Sequence, residues 1–252
     1  MHAWFAAALA VLGLAAGGAL YEIAVRARRR DPPRVPPFHC GRCGRRLPAA
    51  DLVSLPGLVL RQGRRRCCGA PVPPQRPAME ASAAVLFAWA GGHFGPANPE
   101  WAAGLLLAAV LIVVTYTDLS AMIIPNAVVF SGLALAVVLR AFHHPLPLWN
   151  YAAAAAGAFA LLYAVALLSR GGMGGGDIKL YLFVGMLLGV EAALASLFAA
   201  AVLGAACGIA ARAAGRLQKK QPIPFGPFIA AGAWLSFLYA ERWFGGGFLF
   251  PG

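Results

Sequence analysis

The chain has 252 residues, of which 60% are hydrophobic and only 12% charged, about half the charged share of an ordinary soluble domain. A mean hydropathy of +0.71 excludes a soluble globular core and indicates an integral membrane protein. In such a chain the net charge of +12 is a topology signal, and no nucleic-acid partner is expected.

Apolar segments run over residues 3–25, 78–94, 101–117, 126–142, 148–168, 178–190, 192–211 and 226–244. They predict an all-α, polytopic membrane protein with about eight transmembrane helices and one cytoplasmic, cysteine-containing loop. In the first segment, residues 1–25, positive charge follows the apolar run, at Arg26, Arg28, Arg29 and Arg30. A cleaved signal peptide carries that charge in front, so a retained first helix is expected. Residues 26–77 are rich in Arg, Pro and Gly and hold four of the five cysteines. About 50 such residues make no compact core without a staple. Residues 78–252 form a seven-helix membrane core. Its Ala152–Ala156 run followed by Gly157 permits close helix packing in lipid. The segment 178–190 is short against the roughly 20 residues a bilayer requires. Either the bilayer thins there, or the preceding backbone enters a protein-lined cavity.

If the N-terminus lies outside, the inner segments hold every Lys and Arg except Arg140 and Arg242. The positive-inside rule then sets the orientation, and both aspartates discussed below fall on the cytoplasmic side. Arg61, Arg64, Arg65 and Arg66 suit anchoring at anionic lipid.

Cys40 and Cys43 form a Cys-x-x-Cys pair, and Cys67 and Cys68 follow after a basic stretch. Two thiol pairs bracketing a short loop suggest a structural zinc site. The adjacent second pair is irregular, so His39 is an alternative ligand and free thiols an alternative reading. A cytoplasmic face argues against a disulfide. Cys207, alone in an apolar helix, reads as packing.

The chain has only nine acidic residues, and two of them border apolar helices beside backbone breaks. Asp118 ends a helix and precedes Ile124-Pro125-Asn126, where Pro125 removes an amide donor and opens the backbone. Asp177 follows Gly174-Gly175-Gly176, which let a substrate backbone approach closely. An ionisable group near a bilayer is a functional-site hypothesis by default. Two facing carboxylates titrate as a unit. The ionised one takes a proton from water and the protonated one donates to a scissile carbonyl, the chemistry of an aspartic protease.

The run Gly171–Leu180, GGMGGGDIKL, resembles the GxGD motif of intramembrane aspartic proteases. Together with TDLSAMIIPN at 117–126, PIPFGPFIAAG at 222–232 and the cysteine loop, it makes nearly the whole chain resemble the type IV prepilin peptidases. The resemblance implies an enzyme that cleaves the short basic leader from type IV prepilins or type II secretion pseudopilins in the bacterial inner membrane. It assigns the catalytic pair to Asp118 and Asp177. It also implies a structural Zn2+ and, where the new N-terminus is methylated, S-adenosylmethionine as donor. Two departures stand out. The end of the first helix, GGALYEIAVRARR, lacks the family's Asn. Arg65 occupies the first cysteine position of the second pair, with Cys67 displaced. Cys68 keeps the motif spacing and is expected to matter more than Cys67.

Other residues have two readings each. Lys179 either tunes a neighbouring carboxylate or snorkels to the interface. Glu80 begins a helix, where negative charge suits the dipole; a catalytic or methyl-transfer role is the alternative. Pro224, Phe225, Gly226 and Pro227 are either a helix entry turn or a wall of the active site. His143 and His144 read as solvated. Two other functions remain open at this point: an ion-coupled transporter with paired carboxylates and a non-catalytic, membrane-anchored zinc-ribbon assembly factor.

Overall fold

The computed structural model describes residues 2–28, 39, 40, 43–45, 63, 64, 67–169, 173–215 and 223–243. The expectations for Arg61, Arg65, Arg66, Arg170, Gly171, Gly172, Arg216, Lys219 and Lys220 lie outside the described residues. The described residues form eight helices: α1 (Ala3–Arg28), α2 (Gln75–Phe94), α3 (Glu100–Ala121), α4 (Asn126–Phe142), α5 (Leu148–Leu168), α6 (Gly175–Leu188), α7 (Val190–Ala213) and α8 (Gly226–Trp243). Four of them, α1, α3, α5 and α7, are long and apolar enough to cross a membrane, and α4 and α8 are shorter apolar helices. The protein is an all-α polytopic membrane protein.

The chain divides into two compact units, Met1–Val113 and Val114–Gly252. In the first, α1 packs against α2 through Gly13 and Gly17, a small-xxx-small pair. A Cβ on Gly13 would lie 2.5 Å from the carbonyl oxygen of Ala83, and one on Gly17 would overlap the Glu80 backbone. Contact this close between backbones is how helices associate where lipid removes the hydrophobic drive.

In the second unit α6 packs against α4, α5, α7 and α8. Its 14 residues span about 21 Å, short of the bilayer core. Protein surrounds much of it, and Leu180, Tyr181, Phe183, Val184 and Leu187 are fully buried. A helix lined by protein does not need full bilayer length. Gly185 lets α5 lie against it, since a Cβ there would meet the Ala155 amide nitrogen at 2.6 Å.

The C-terminal end of α6 is held by Arg140. Its Nε and Nη2 donate to the Leu187 carbonyl at 3.0 and 2.6 Å, and its guanidinium lies 4.8 Å from the Tyr151 ring centroid. The Val190 amide donates to Asn150 Oδ1 at 2.9 Å. A cation is favourable at a helix C-terminus, which gives an arginine in an apolar helix its place.

The bounds of α4 and α5 are those read from the sequence, while one end each of α2, α3 and α6 lies about one turn beyond the sequence reading. α2 begins at Gln75, before Pro77, because proline is tolerated in a first turn. Glu80 therefore sits more than a turn inside the helix. α3 continues past Asp118 to Ala121, and α6 begins before Asp177.

Candidate active site

Three interruptions of helix meet in the second unit. The first follows Asp118. α3 ends at Ala121, and Met122 adopts φ 52° while its amide donates to the Asp118 carbonyl at 2.8 Å. This is a left-handed helix stop, usually given to glycine. Pro125 then caps α4 in extended conformation. The second interruption precedes Asp177, which lies in the first turn of α6 and receives a hydrogen bond from the Gly174 backbone. A side chain reaching back to the N-cap amide is half of a capping box. The third is the turn Ile223–Phe225 before α8.

Asp118 and Asp177 are both buried, at 6% and 8% exposure, in a chain where burying a carboxylate is costly. They lie close enough to interact electrostatically. The Gly226 amide donates to Asp118 Oδ2 at 2.7 Å. Gly226 contacts Asp118 and Gly174 contacts Asp177; Gly176 and Lys179 lie on the first turns of α6 beside Asp177, and Pro125 precedes α4. A Cβ on Gly176 would sit 2.8 Å from Ile124 Cβ, and one on Gly174 would sit 3.2 Å from Asp177 Oδ2. Lys179 Nζ donates to Asn126 Oδ1 at 3.2 Å, tying α6 to the start of α4. Phe225 turns toward α7, where a Cβ on Gly204 would meet its ring at 2.9 Å, and it lies 6.2 Å from the Phe228 ring. Pro224 and Pro227 flank it and are half-buried.

The cysteines assemble in the first unit. The Cys40 amide donates to the Arg45 carbonyl at 2.7 Å and the Gly44 amide to the Cys40 carbonyl at 2.8 Å. Gly44 and Gly69 have φ of 71° and 65°, which lets each thiol pair turn back on itself. All four Sγ atoms lie within 4.8 Å of one another, with Cys40–Cys68 and Cys67–Cys68 each at 3.8 Å. A zinc–sulfur bond of about 2.3 Å in a tetrahedron requires sulfur–sulfur edges of about 3.8 Å. Donor type and spacing therefore fit zinc. Desolvation and the neighbouring thiols of Cys40, Cys43 and Cys68 push the Cys67 thiol up to about 12. A bound dication reverses that tendency. Cys67 and Cys68 both reach the cluster despite adjacency, and the group of four does not include His39.

A model of the bacterial peptidase A24 N-terminal domain matches residues 11–94, and a model of the type IV leader peptidase family matches residues 105–209. A prepilin leader peptidase/N-methyltransferase of Bacillus subtilis (strain 168) is 36% identical over 235 residues, covering 92% of this chain and 94% of the relative. The chain belongs to the type IV leader peptidase family. Proteins of the same name from Burkholderia pseudomallei (strain K96243) and Aeromonas hydrophila are 34% and 28% identical. They cover 79% and 85% of this chain, which spans 65% and 77% of them. No solved structure matches the chain.

Both aspartates fall within the type IV leader peptidase match, and the four cysteines fall within the N-terminal-domain match. Glu80 belongs to the first unit. It is fully buried, 3.4 Å from Arg76 Nε. Cys207 is exposed, so it faces away from the core and is not a packing residue. His143 is half-buried rather than solvated, and its carbonyl accepts from Arg140 Nη1 at 3.4 Å. The sequence reading placed Ile124 and Asn126 in the break beside Asp118 but missed the left-handed stop at Met122, the contact of Ile124 with Gly176 and that of Asn126 with Lys179. Their signal was the Pro125 break itself, which brings Met122–Asn126 to the end of the Asp118 helix.

Proposed function

We propose that this protein is an intramembrane aspartic endopeptidase that removes the leader from type IV prepilins or pseudopilins. The observation that carries the reading is the pair of buried, mutually interacting carboxylates at the meeting of three helix breaks. Membership of the type IV leader peptidase family supports it. One carboxylate accepts a proton from water as the hydroxyl oxygen attacks the scissile carbonyl. The other gives its proton to that carbonyl oxygen; as the C–N bond breaks, the first carboxylate passes the proton it took from water to the leaving amine, and the second recovers a proton from the gem-diol hydroxyl that becomes the product carboxyl. No covalent enzyme intermediate forms. At Gly175, beside the pair, a Cβ would meet nothing within 4 Å, and the substrate backbone would approach there.

The charge pattern supports a multi-pass arrangement in the bacterial inner membrane, with the N-terminus outside and the aspartates at the cytoplasmic face. The basic leader then stays on the cytoplasmic side. Zn2+ would be held by Cys40, Cys43, Cys67 and Cys68, where it would staple a loop whose sequence, rich in Arg, Pro and Gly, is poorly suited to a core of its own.

Methyl transfer is the second activity in the relatives' names, with S-adenosylmethionine as the donor. Glu80 is the residue singled out for it. Its side chain is fully buried beside Arg76, with Gly17 against its backbone.

The test is cleavage of a candidate prepilin by detergent-solubilised protein. Asp118→Asn and Asp177→Asn should each abolish cleavage while expression and membrane insertion persist. Full cleavage by either variant would refute the mechanism. Mass spectrometry of the processed N-terminus separates a peptidase from a bifunctional enzyme by the presence of one added methyl group.

A further inference from the structure

The turn before α8 does more than start a helix. Gly226 is buried, and its amide donates to Asp118 Oδ2 at 2.7 Å across 108 residues of sequence. A Cβ at this position would lie 2.8 Å from that oxygen and 3.1 Å from Asp118 Cβ, so only glycine brings the amide this near. Proline on either side of Phe225-Gly226 restricts φ at Pro224 and Pro227. Phe225 is lodged at Gly204 of α7, and Ile223 lies at Gly208, where a Cβ would be 3.2 Å from Ile223 Cδ1. The donor is thus fixed by two prolines and two apolar anchors before any substrate arrives.

We propose that Gly226 is a positioning residue: its amide clamps Oδ2 of Asp118 so that proton exchange with water or substrate is confined to Oδ1. The inference rests on the peptidase reading above and deepens it. A carboxylate free to rotate would exchange its oxygens and spend part of its time misdirected. One committed to a rigid donor presents a single oxygen, which is the preorganisation that proton transfer requires. The ionisable group interacting with Asp118 across the site is Asp177 on α6. Lys179 is drawn to Asn126, and Tyr181 to Ser196 on α7 at 3.2 Å. On the α8 side the contact is the Gly226 backbone.

The experiment compares Gly226→Ala with Gly232→Ala in the full-length, detergent-solubilised protein. Gly232 is another tight glycine on α8, where a Cβ would lie 2.5 Å from the Ser196 carbonyl oxygen, but it has no contact with Asp118. Steady-state cleavage of a prepilin is measured across pH, and thermal stability is recorded for each variant. Gly226→Ala is expected to lower kcat by about 10²-fold, the scale of losing one preorganised donor, with KM within about threefold of wild type. Its pH–rate profile should be displaced from the wild-type curve. Gly232→Ala should lose thermal stability while keeping the wild-type profile in the folded fraction. A Gly226→Ala enzyme with wild-type kcat, or with a profile superimposable on wild type, overturns the clamp. Absence of cleavage by the wild type overturns the peptidase reading and the clamp with it.

Discussion

Gly176→Ala is expected to cripple cleavage, and Gly175→Ala, one residue earlier, is not. A Cβ on Gly176 would lie 2.8 Å from Ile124 Cβ and 3.3 Å from its Cγ1. Two aliphatic carbons rest at about 3.8 Å, so the shortfall is about 1 Å. The obstructing atom is a β-carbon tied to the backbone, so no side-chain rotation relieves the clash. The first turn of α6 must retreat from the 122–125 break, and Asp177 retreats with it. Displacing a reacting group by about 1 Å costs on the order of 10²-fold, or about 2.7 kcal/mol of barrier. At Gly175 a Cβ would meet nothing within 4 Å, so its variant should stay within about threefold of wild type. Alanine's better helix propensity, worth up to about 1 kcal/mol, acts on stability in both variants, so activity and stability separate. The assay is kcat/KM for prepilin cleavage beside a melting curve. Equal activity of the two variants would refute the argument that Ile124 sets the position of Asp177.

Three further outcomes are expected. Purified protein should carry about one zinc per chain by elemental analysis, and Cys67→Ser should lower it as much as Cys68→Ser, since both thiols lie in the same cluster. Met122→Gly should raise stability by about 0.5–1 kcal/mol in a thermal melt. The left-handed conformation costs a non-glycine residue about 1–2 kcal/mol, and glycine's extra chain entropy returns about 0.5–1 kcal/mol of that. Arg140→Met should destabilise by about 1.5–3 kcal/mol, the scale of hydrogen bonds made by a charged group, while cleavage per folded molecule is retained.

The apolar runs alone specified eight helices and their order, because in lipid each spanning backbone must satisfy its own hydrogen bonds. Rarity made the aspartates visible, since a chain poor in acids places two of them beside helix breakers. Helix ends were less legible. The glycines at 175 and 176 read as a break before Asp177, yet both are helical, and at Gly176 the missing side chain serves close approach to Ile124 rather than irregular backbone. The cysteine spacing singled out Cys68 over the displaced Cys67; the tertiary structure puts both sulfurs in one cluster with Cys40 and Cys43, which linear spacing does not disclose. What the linear order could not disclose is who touches whom over long separations. Gly226 reaches Asp118, Ile124 lies over Gly176, and Arg140 closes the end of α6 at Leu187. Composition and periodicity act locally and so determine which segments are helices and which residues are too costly to be idle. The direction of an amide, or the clearance above a glycine, is set by how the helices pack, and only the tertiary structure decides it.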